Sequence, residues 1–541
     1  MPGRHSFDST IVYELPIGLD AGIIAAEFLG ELLMWHAGYV SEIEYTHGYY
    51  QELAPHRLRL AALVAGQKTS VGDAPVCLEL GFGQGHSSNI NAASNPGTVW
   101  ATDFNAAQAA NAQEFATASG ADIQLLDASF AELAARQDLP DFDIIALHGI
   151  WSWISDENRA IIVDLARRNL KPGGLFYISY NVTPGWSPAM PLRHIMKEHS
   201  KRASTGSMPH KIDQALTFMQ AMVDAGAGYF KANPAMVERL QKLKSQDRNY
   251  LAHEYMNDNW DVMPFSQVAE SLAEAKLGFA CSAHLPDLVD EINLPAEART
   301  MLTGIDDVVL RQTVRDYFVN QQFRRDIFIK GARPLPIFEQ ARMLREQPFM
   351  LLVQPEDCPK KVLGALGEAS LTAEIYDPVK AELAANDYCP KTIAELGQTE
   401  GCKSLTLAQL IQCMTILCGT GVVAPAHNDA VFKKVTKTAR SLNREFCRRA
   451  EYSSDVNYLA APLIGAGVGA NRFEQLFVRA LLQQQTDPAN WVWSLLKAQG
   501  QKIVLDGKAI ESDEDNLGEL RKRFAAFETK RAPIFRRLGI L

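Results

Sequence analysis

Residues Glu79-Leu80-Gly81-Phe82-Gly83-Gln84-Gly85, with Asp103 eighteen positions after Gly85, constrain this chain more than any other stretch. The apolar run Pro75-Val76-Cys77-Leu78-Glu79-Leu80 ahead of the glycines reads as a short buried strand. Residues 86–93 after them open a helix. The glycines let the backbone pass close to a ligand, and glycine takes φ > 0 without steric cost. Residues 98–102 read as the next strand, with Asp103 at its tip. An acid at that place can accept both ribose hydroxyls of an adenine nucleoside.

The spacing differs from the dinucleotide fingerprint G-x-G-x-x-G, whose helix N-terminus receives a pyrophosphate. Here the turn is E-x-G-x-G-x-G, and no basic residue follows it. The Glu79 carboxylate suits a ligand with a positive centre and repels phosphate. A plain glycine-rich turn would account for the glycines alone; Asp103 at the next strand tip points to a cofactor site. The pattern resembles motif I of class I S-adenosylmethionine-dependent methyltransferases.

From 75 to 180 short apolar segments alternate with amphipathic ones. Strands are expected at 75–80, 98–102, 122–126, 142–147 and 174–180, and helices at 105–119, 129–137 and 156–169. Such alternation implies a parallel sheet covered on both faces. Lys171-Pro172-Gly173-Gly174 reads as a sharp stop and turn before the fifth strand. The alternation then pauses for helical patterns, among them 212–223 and 234–244. It resumes with a helix at 266–276 and a strand at 278–285. Residues 291–347 read as mostly helical, including 308–323. Beyond Pro355, a short helix at 390–397, a second at 405–417 and a strand pair at 419–424 resemble a winged helix. That shape often binds DNA, but residues 404–420 contain no Arg or Lys. Base and phosphate contacts need such residues, so a protein-interaction or scaffold role is expected.

The fold class expected is α/β: a Rossmann-like methyltransferase domain with a helical insertion and a C-terminal winged-helix-like α+β domain. The expected divisions are an N-terminal lid and helix over 1–65, a cofactor-binding domain over 66–202 and a helical insertion over 203–249. The last sheet elements are expected over 250–290, a helical regulatory or linker region over 291–350, and the C-terminal domain over 351–541. Over 541 residues the net charge is −10, against a generic nucleic-acid binder. The eight cysteines form no C-x-x-C pair and sit in apolar surroundings, so no metal site is expected. Residues 1–8 lack the apolar core of a signal peptide, and no apolar run reaches bilayer length. These features lead to the expectation of a cytoplasmic protein.

In an open parallel sheet, ligands bind at the carboxyl ends of the strands. That rule nominates Glu79, Gly81, Phe82, Gly83 and Gly85 after the first strand, and Asp103 and Phe104 after the second. Asp127 and Ala128 follow the third, where Asp127 suits either the adenine amino group or an N-cap. His148 ends the fourth strand and Tyr180 the fifth; both are candidate catalytic groups. Trp151 and Trp153 read as hydrophobic cover. The tyrosines Tyr39, Tyr45, Tyr49 and Tyr50 precede the first strand and could fold over the cofactor, or form a surface loop.

Several segments together resemble one family: Tyr45 to Leu60, the glycine block, His148-Gly149-Ile150-Trp151-Ser152-Trp153, Ser179 to Trp186, Tyr250-Leu251-Ala252-His253-Glu254-Tyr255, Arg315-Asp316-Tyr317 through Phe323-Arg324-Arg325, and Leu459 to Gly467. These are similar to bacterial methyltransferases with a methyltransferase regulatory domain, a family that includes rickettsial lysine methyltransferases of outer-membrane proteins. The resemblance implies S-adenosylmethionine as cofactor. It also implies a helical regulatory or dimerisation region, which allows a homodimer. Glu79, Gly81, Gly83, Gly85, Asp103, Asp127 and His148 fall on its cofactor-pocket positions, with Tyr45 in the covering segment. Phe82 and Gln84 depart from the smaller or polar residues common there. Direct in-line methyl transfer is expected, to a lysine of a protein (an outer-membrane or surface protein before export is one candidate). The alternatives are a small-molecule or cell-surface glycan acceptor, or a non-catalytic cofactor-binding scaffold. Nucleic-acid bases are disfavoured, since the Asn-Pro-Pro-Tyr, Asp-Pro-Pro-Tyr and Pro-Cys signatures are absent after the fourth strand.

Overall fold

The computed structural model describes residues 48–505 and 507–541. Tyr39 and Tyr45 lie outside the described residues.

The centre of the molecule is a seven-stranded sheet in the order β3-β2-β1-β4-β5-β7-β6. Its strands are β1 (Val76–Leu80), β2 (Thr98–Asp103), β3 (Ile123–Asp127), β4 (Phe142–Leu147), β5 (Leu170–Asn181), β6 (Leu277–Ser282) and β7 (Phe323–Lys330). The first five are parallel. β7 runs antiparallel between β5 and β6. The chain order reverses between β1 and β4, which opens the ligand crevice of a doubly wound sheet at their carboxyl ends.

Buried side chains cover both faces. On one, Leu78, Leu80, Ile145, Phe176 and Ile178 meet helices Asp156–Asn169 and Phe265–Ala273. On the other, Ile144, Leu175 and Tyr177 join a core that runs into the C-terminal third of the chain. There the helix Asp429–Arg449 places Phe446 edge-on to Phe115, ring centroids 5.0 Å apart. The C-terminal unit thus shares its core with the sheet domain.

Four expectations change. Residues 323–330 form a central strand, although the 291–350 region reads as helical. Its alternation is hidden because Arg324 and Asp326, both buried, neutralise each other at 2.7 Å. The sheet therefore extends to Lys330, not to residue 290. Second, Lys171-Pro172-Gly173-Gly174 does not end an element. It is a bulge within β5: Phe142 pairs with Leu170, and Ile144 with Leu175. Third, the helical insertion is longer than 203–249. Its core takes Leu192 and Met196 from helix Met190–Arg202, and Leu251 and Tyr255 from helix Arg248–Tyr255. Fourth, the strand pair expected at 419–424 is one strand, Val423–Pro425. It joins Pro348–Leu351 and Lys391–Thr392 in a three-stranded sheet, next to the helices Ile393–Leu396 and Leu407–Gly419.

Candidate active site

A cavity opens at the carboxyl ends of β1, β2, β3 and β4. Glu79, Gly81, Phe82, Gly83, Asp103, Phe104, Ala128 and His148 line it, as the sequence nominates. Gly48 and Tyr50 close it from the N-terminal side. Asn105, Gln108, Phe130, Ile150, Trp153 and Asn158 line it too, although strand-tip reasoning does not nominate them for cofactor contact. They come from helix starts and the turn after β4, which that reasoning does not resolve. Trp153 lines the cavity, whereas Trp151 is fully buried.

The glycine turn is tied down by its own backbone. Gly81 and Phe82 donate N–H bonds to the Thr102 carbonyl at 2.8 and 3.3 Å. Gly83 donates its N–H to Asp103 Oδ2 at 2.8 Å, and Asn105 donates to Asp103 Oδ1 at 3.0 Å. Gly81 sits at φ +76°, and a Cβ there would lie 2.4 Å from Ile150 Cδ1. This glycine is needed for the turn and for the close approach of a cavity wall.

Two residues nominated for cofactor contact lie off the cavity wall. Gly85, at φ +75°, starts helix His86–Ser94, and a Cβ would meet Ala112 Cβ at 2.4 Å. The missing side chain lets two helices pack closely here. Asp127 is exposed beside the lining residue Ala128. The next helix is capped by Ser129, in a capping box with Glu132, rather than by Asp127.

Glu79 and Asp103 are both buried. Burial raises the Glu79 pKa to about 7; Ser88, donating its hydroxyl at 2.6 Å, opposes the rise. Burial also raises Asp103 to about 6, against the two backbone donors that lower it. Two acidic groups and no Lys or Arg line the cavity among the described residues. Such a wall suits a cationic nucleoside and disfavours a phosphate.

His148 Nδ1 and the Tyr177 hydroxyl are 2.7 Å apart. The imidazole stacks on Tyr50, ring centroids 4.1 Å apart, and meets the edge of Phe323 at 6.1 Å. Burial lowers its pKa to about 4, partly opposed by the carboxylate of Glu52, so the ring is neutral at pH 7. Glu52 itself pairs with Arg325 at 3.1 Å.

Tyr180 is not in this group. Its side chain is 1% exposed on the opposite face of β5, and its hydroxyl donates to Asp326 Oδ2 at 2.7 Å. Tyr177, not Tyr180, is the β5 tyrosine that reaches His148. Residues three apart on a strand point to opposite faces, so a position near the tip does not fix the side.

Residues 77–174 match a family model described as a methyltransferase domain, and residues 247–330 match one described as a predicted methyltransferase regulatory domain. The second match spans β6 and β7, so this region completes the sheet. The uncharacterized protein sll1526 of Synechocystis sp. is 39% identical over 512 residues, covering 94% of this chain and 100% of that protein. The uncharacterized protein RP789 of Rickettsia prowazekii is 26% identical over 185 residues, 34% of this chain and 33% of that protein. The structure of PKMT2 from Rickettsia typhi in complex with AdoHcy has a TM-score of 0.67 at 17% identity. It covers 91% of this chain and 99% of that chain, a likeness of fold. No described helix is long and apolar enough to cross a membrane. The chain belongs to the family of sll1526 and is an S-adenosylmethionine-dependent methyltransferase with a methyltransferase regulatory domain.

Proposed function

We propose that this methyltransferase acts on lysine side chains of protein substrates. The observation that carries the reading is the neutral His148 ring, held between Tyr50 and Tyr177 at the cavity wall. The sequence resemblance to rickettsial lysine methyltransferases supports it.

Asp103 would accept the ribose hydroxyls, and Glu79 would offset positive charge at the amino-acid end of the cofactor. Ala128 and Phe104, which line the cavity, would offer the adenine an apolar contact. When bound, S-adenosylmethionine supplies a methyl group that leaves sulfur as the acceptor's lone pair forms the new bond. Tyr50 and Trp153 give the acceptor an aromatic wall, which favours a cationic chain and excludes water.

A lysine must first lose a proton. With an ordinary pKa near 10.4, this costs about 4 kcal/mol at pH 7.4. Desolvation of the amine reduces that cost. In the tautomer whose Nδ1–H donates to the Tyr177 oxygen, His148 Nε2 is the acceptor for the amine proton, directly or through water. At a pKa of about 4, His148 relays that proton to solvent rather than keeping it.

The test is incubation of the purified chain with methyl-labelled cofactor and lysate of its own host cell. Label on protein, located on lysine by mass spectrometry, is the expected result. Label in a non-protein fraction would instead identify a glycan or small-molecule acceptor. Cofactor binding with no transfer would identify a scaffold.

A further inference from the structure

A second cavity, of about 470 Å³, lies beside β6 and β7 and shares no lining residue with the cofactor cavity. That volume is ordinary for a small-molecule site. It is walled by β6, β7, and the helices Ala296–Thr303 and Val308–Val319, all within the region matched to the regulatory domain.

Its chemistry is charged. Arg299, Arg311, Arg315, Arg324 and Arg325 line it with Asp287, Asp290, Asp316 and Asp326, while Arg299 also pairs with Glu291 at 3.2 Å and Arg325 with Glu52 at 3.1 Å. Arg324 has a partner on each of its three nitrogens: it donates to Asp326 at 2.7 Å, Asp316 at 2.5 Å and Gln312 at 3.0 Å. The others hold donors in reserve. Arg311 gives a single N–H, to the Ile305 carbonyl at 2.9 Å. Arg315 uses only Nη2, on the Asp287 carbonyl and Asp290. Each guanidinium has five N–H donors in a planar fork that matches a carboxylate.

One acceptor is also unsatisfied. Asp316 is 2% exposed, and its Oδ2 has no hydrogen-bond partner among the described residues. Burial raises this carboxyl to about 7, against the pull of Arg324. Arg325 Nε is likewise buried without a partner among the described residues.

We infer that this cavity binds a small α-amino or α-hydroxy carboxylic acid. Its carboxylate takes the free donors of Arg311 and Arg315, and its ammonium or hydroxyl group donates to Asp316 Oδ2. Arg325 connects the cavity wall to Glu52 and so to the surroundings of His148. The assignment stands apart from the lysine reading, because neither cofactor nor acceptor enters it.

The test is calorimetry of the full-length protein with a set of L-amino acids and 2-hydroxy acids, with inorganic phosphate as the anion control. At least one of these acids is expected to bind saturably and more tightly than phosphate. Its affinity should fall at least tenfold in Arg311→Gln and in Asp316→Asn. Arg311→Gln should bind S-adenosylhomocysteine as the wild type does, which certifies its fold should Asp316→Asn misfold. Wild type that binds S-adenosylhomocysteine but none of the acids would overturn the assignment. So would phosphate binding as tightly as the acids, or an Arg311→Gln that binds its acid normally.

Discussion

Asp103 Oδ2 accepts the Gly83 backbone N–H at 2.8 Å, so the acid at the tip of β2 fastens the glycine turn as well as facing the cavity. Its second oxygen holds Asn105, whose side chain caps the next helix. One carboxylate thus organises two loops before any ligand arrives. Asp103→Asn keeps the shape but presents an NH2 group to one of these two donors. The unmet N–H should lower unfolding free energy by about 1–3 kcal/mol, read from urea denaturation without ligand.

Burial raises Glu79 to about 7 and Asp103 to about 6, so the folded chain holds these protons more tightly than the unfolded chain does. The associated stability is fully present below about pH 4 and is lost as pH rises through 6 to 7. Binding of a cation runs the other way, because it favours the ionised acids. Affinity for S-adenosylmethionine should rise about tenfold from pH 6 to pH 8 and level off above. Glu79→Gln should bind more weakly at pH 8 and lose most of that slope. A pH-independent wild-type affinity would contradict the assignment of charge.

The two tyrosines of β5 separate chemistry from stability. Tyr177→Phe frees His148 Nδ1 and should lower turnover about tenfold or more, with cofactor affinity nearly unchanged. Tyr180→Phe removes a donor from buried Asp326 and should cost about 1–3 kcal/mol of stability, with little change in turnover. The reverse pattern would return the catalytic role to Tyr180.

Gly85→Ala tests a packing role. The new methyl group would meet Ala112 Cβ at 2.4 Å, from a backbone at φ +75°. Stability should fall by about 1–3 kcal/mol as two helices are pushed apart. Cofactor affinity measured on the folded fraction should change less than in any variant of Asp103.

The parts of the site legible in the sequence are those set by the path of the backbone. Apolar runs fix β1 to β4, and the glycine turn and Asp103 follow from their places at strand ends. Side-chain direction near a strand end was not legible, which is why Tyr177 and Tyr180 exchange roles. β7 was hidden for a different reason. Its buried face carries Arg324 and Asp326, made tolerable there by Asp316 and Gln312 of the preceding helix and by Tyr180, distant in sequence. Trp153 and Asn158 enter the cavity from the turn after β4 and the helix behind it, whose course no periodicity records.

The most direct test of a carboxylate-walled S-adenosyl site is titration of the full-length protein with S-adenosylhomocysteine in a calorimeter, beside Asp103→Ala. Saturable one-to-one binding by the wild type, weakened at least tenfold in the variant, is the predicted result. Wild-type protein that is folded yet releases no heat, or a variant that binds equally well, would contradict it.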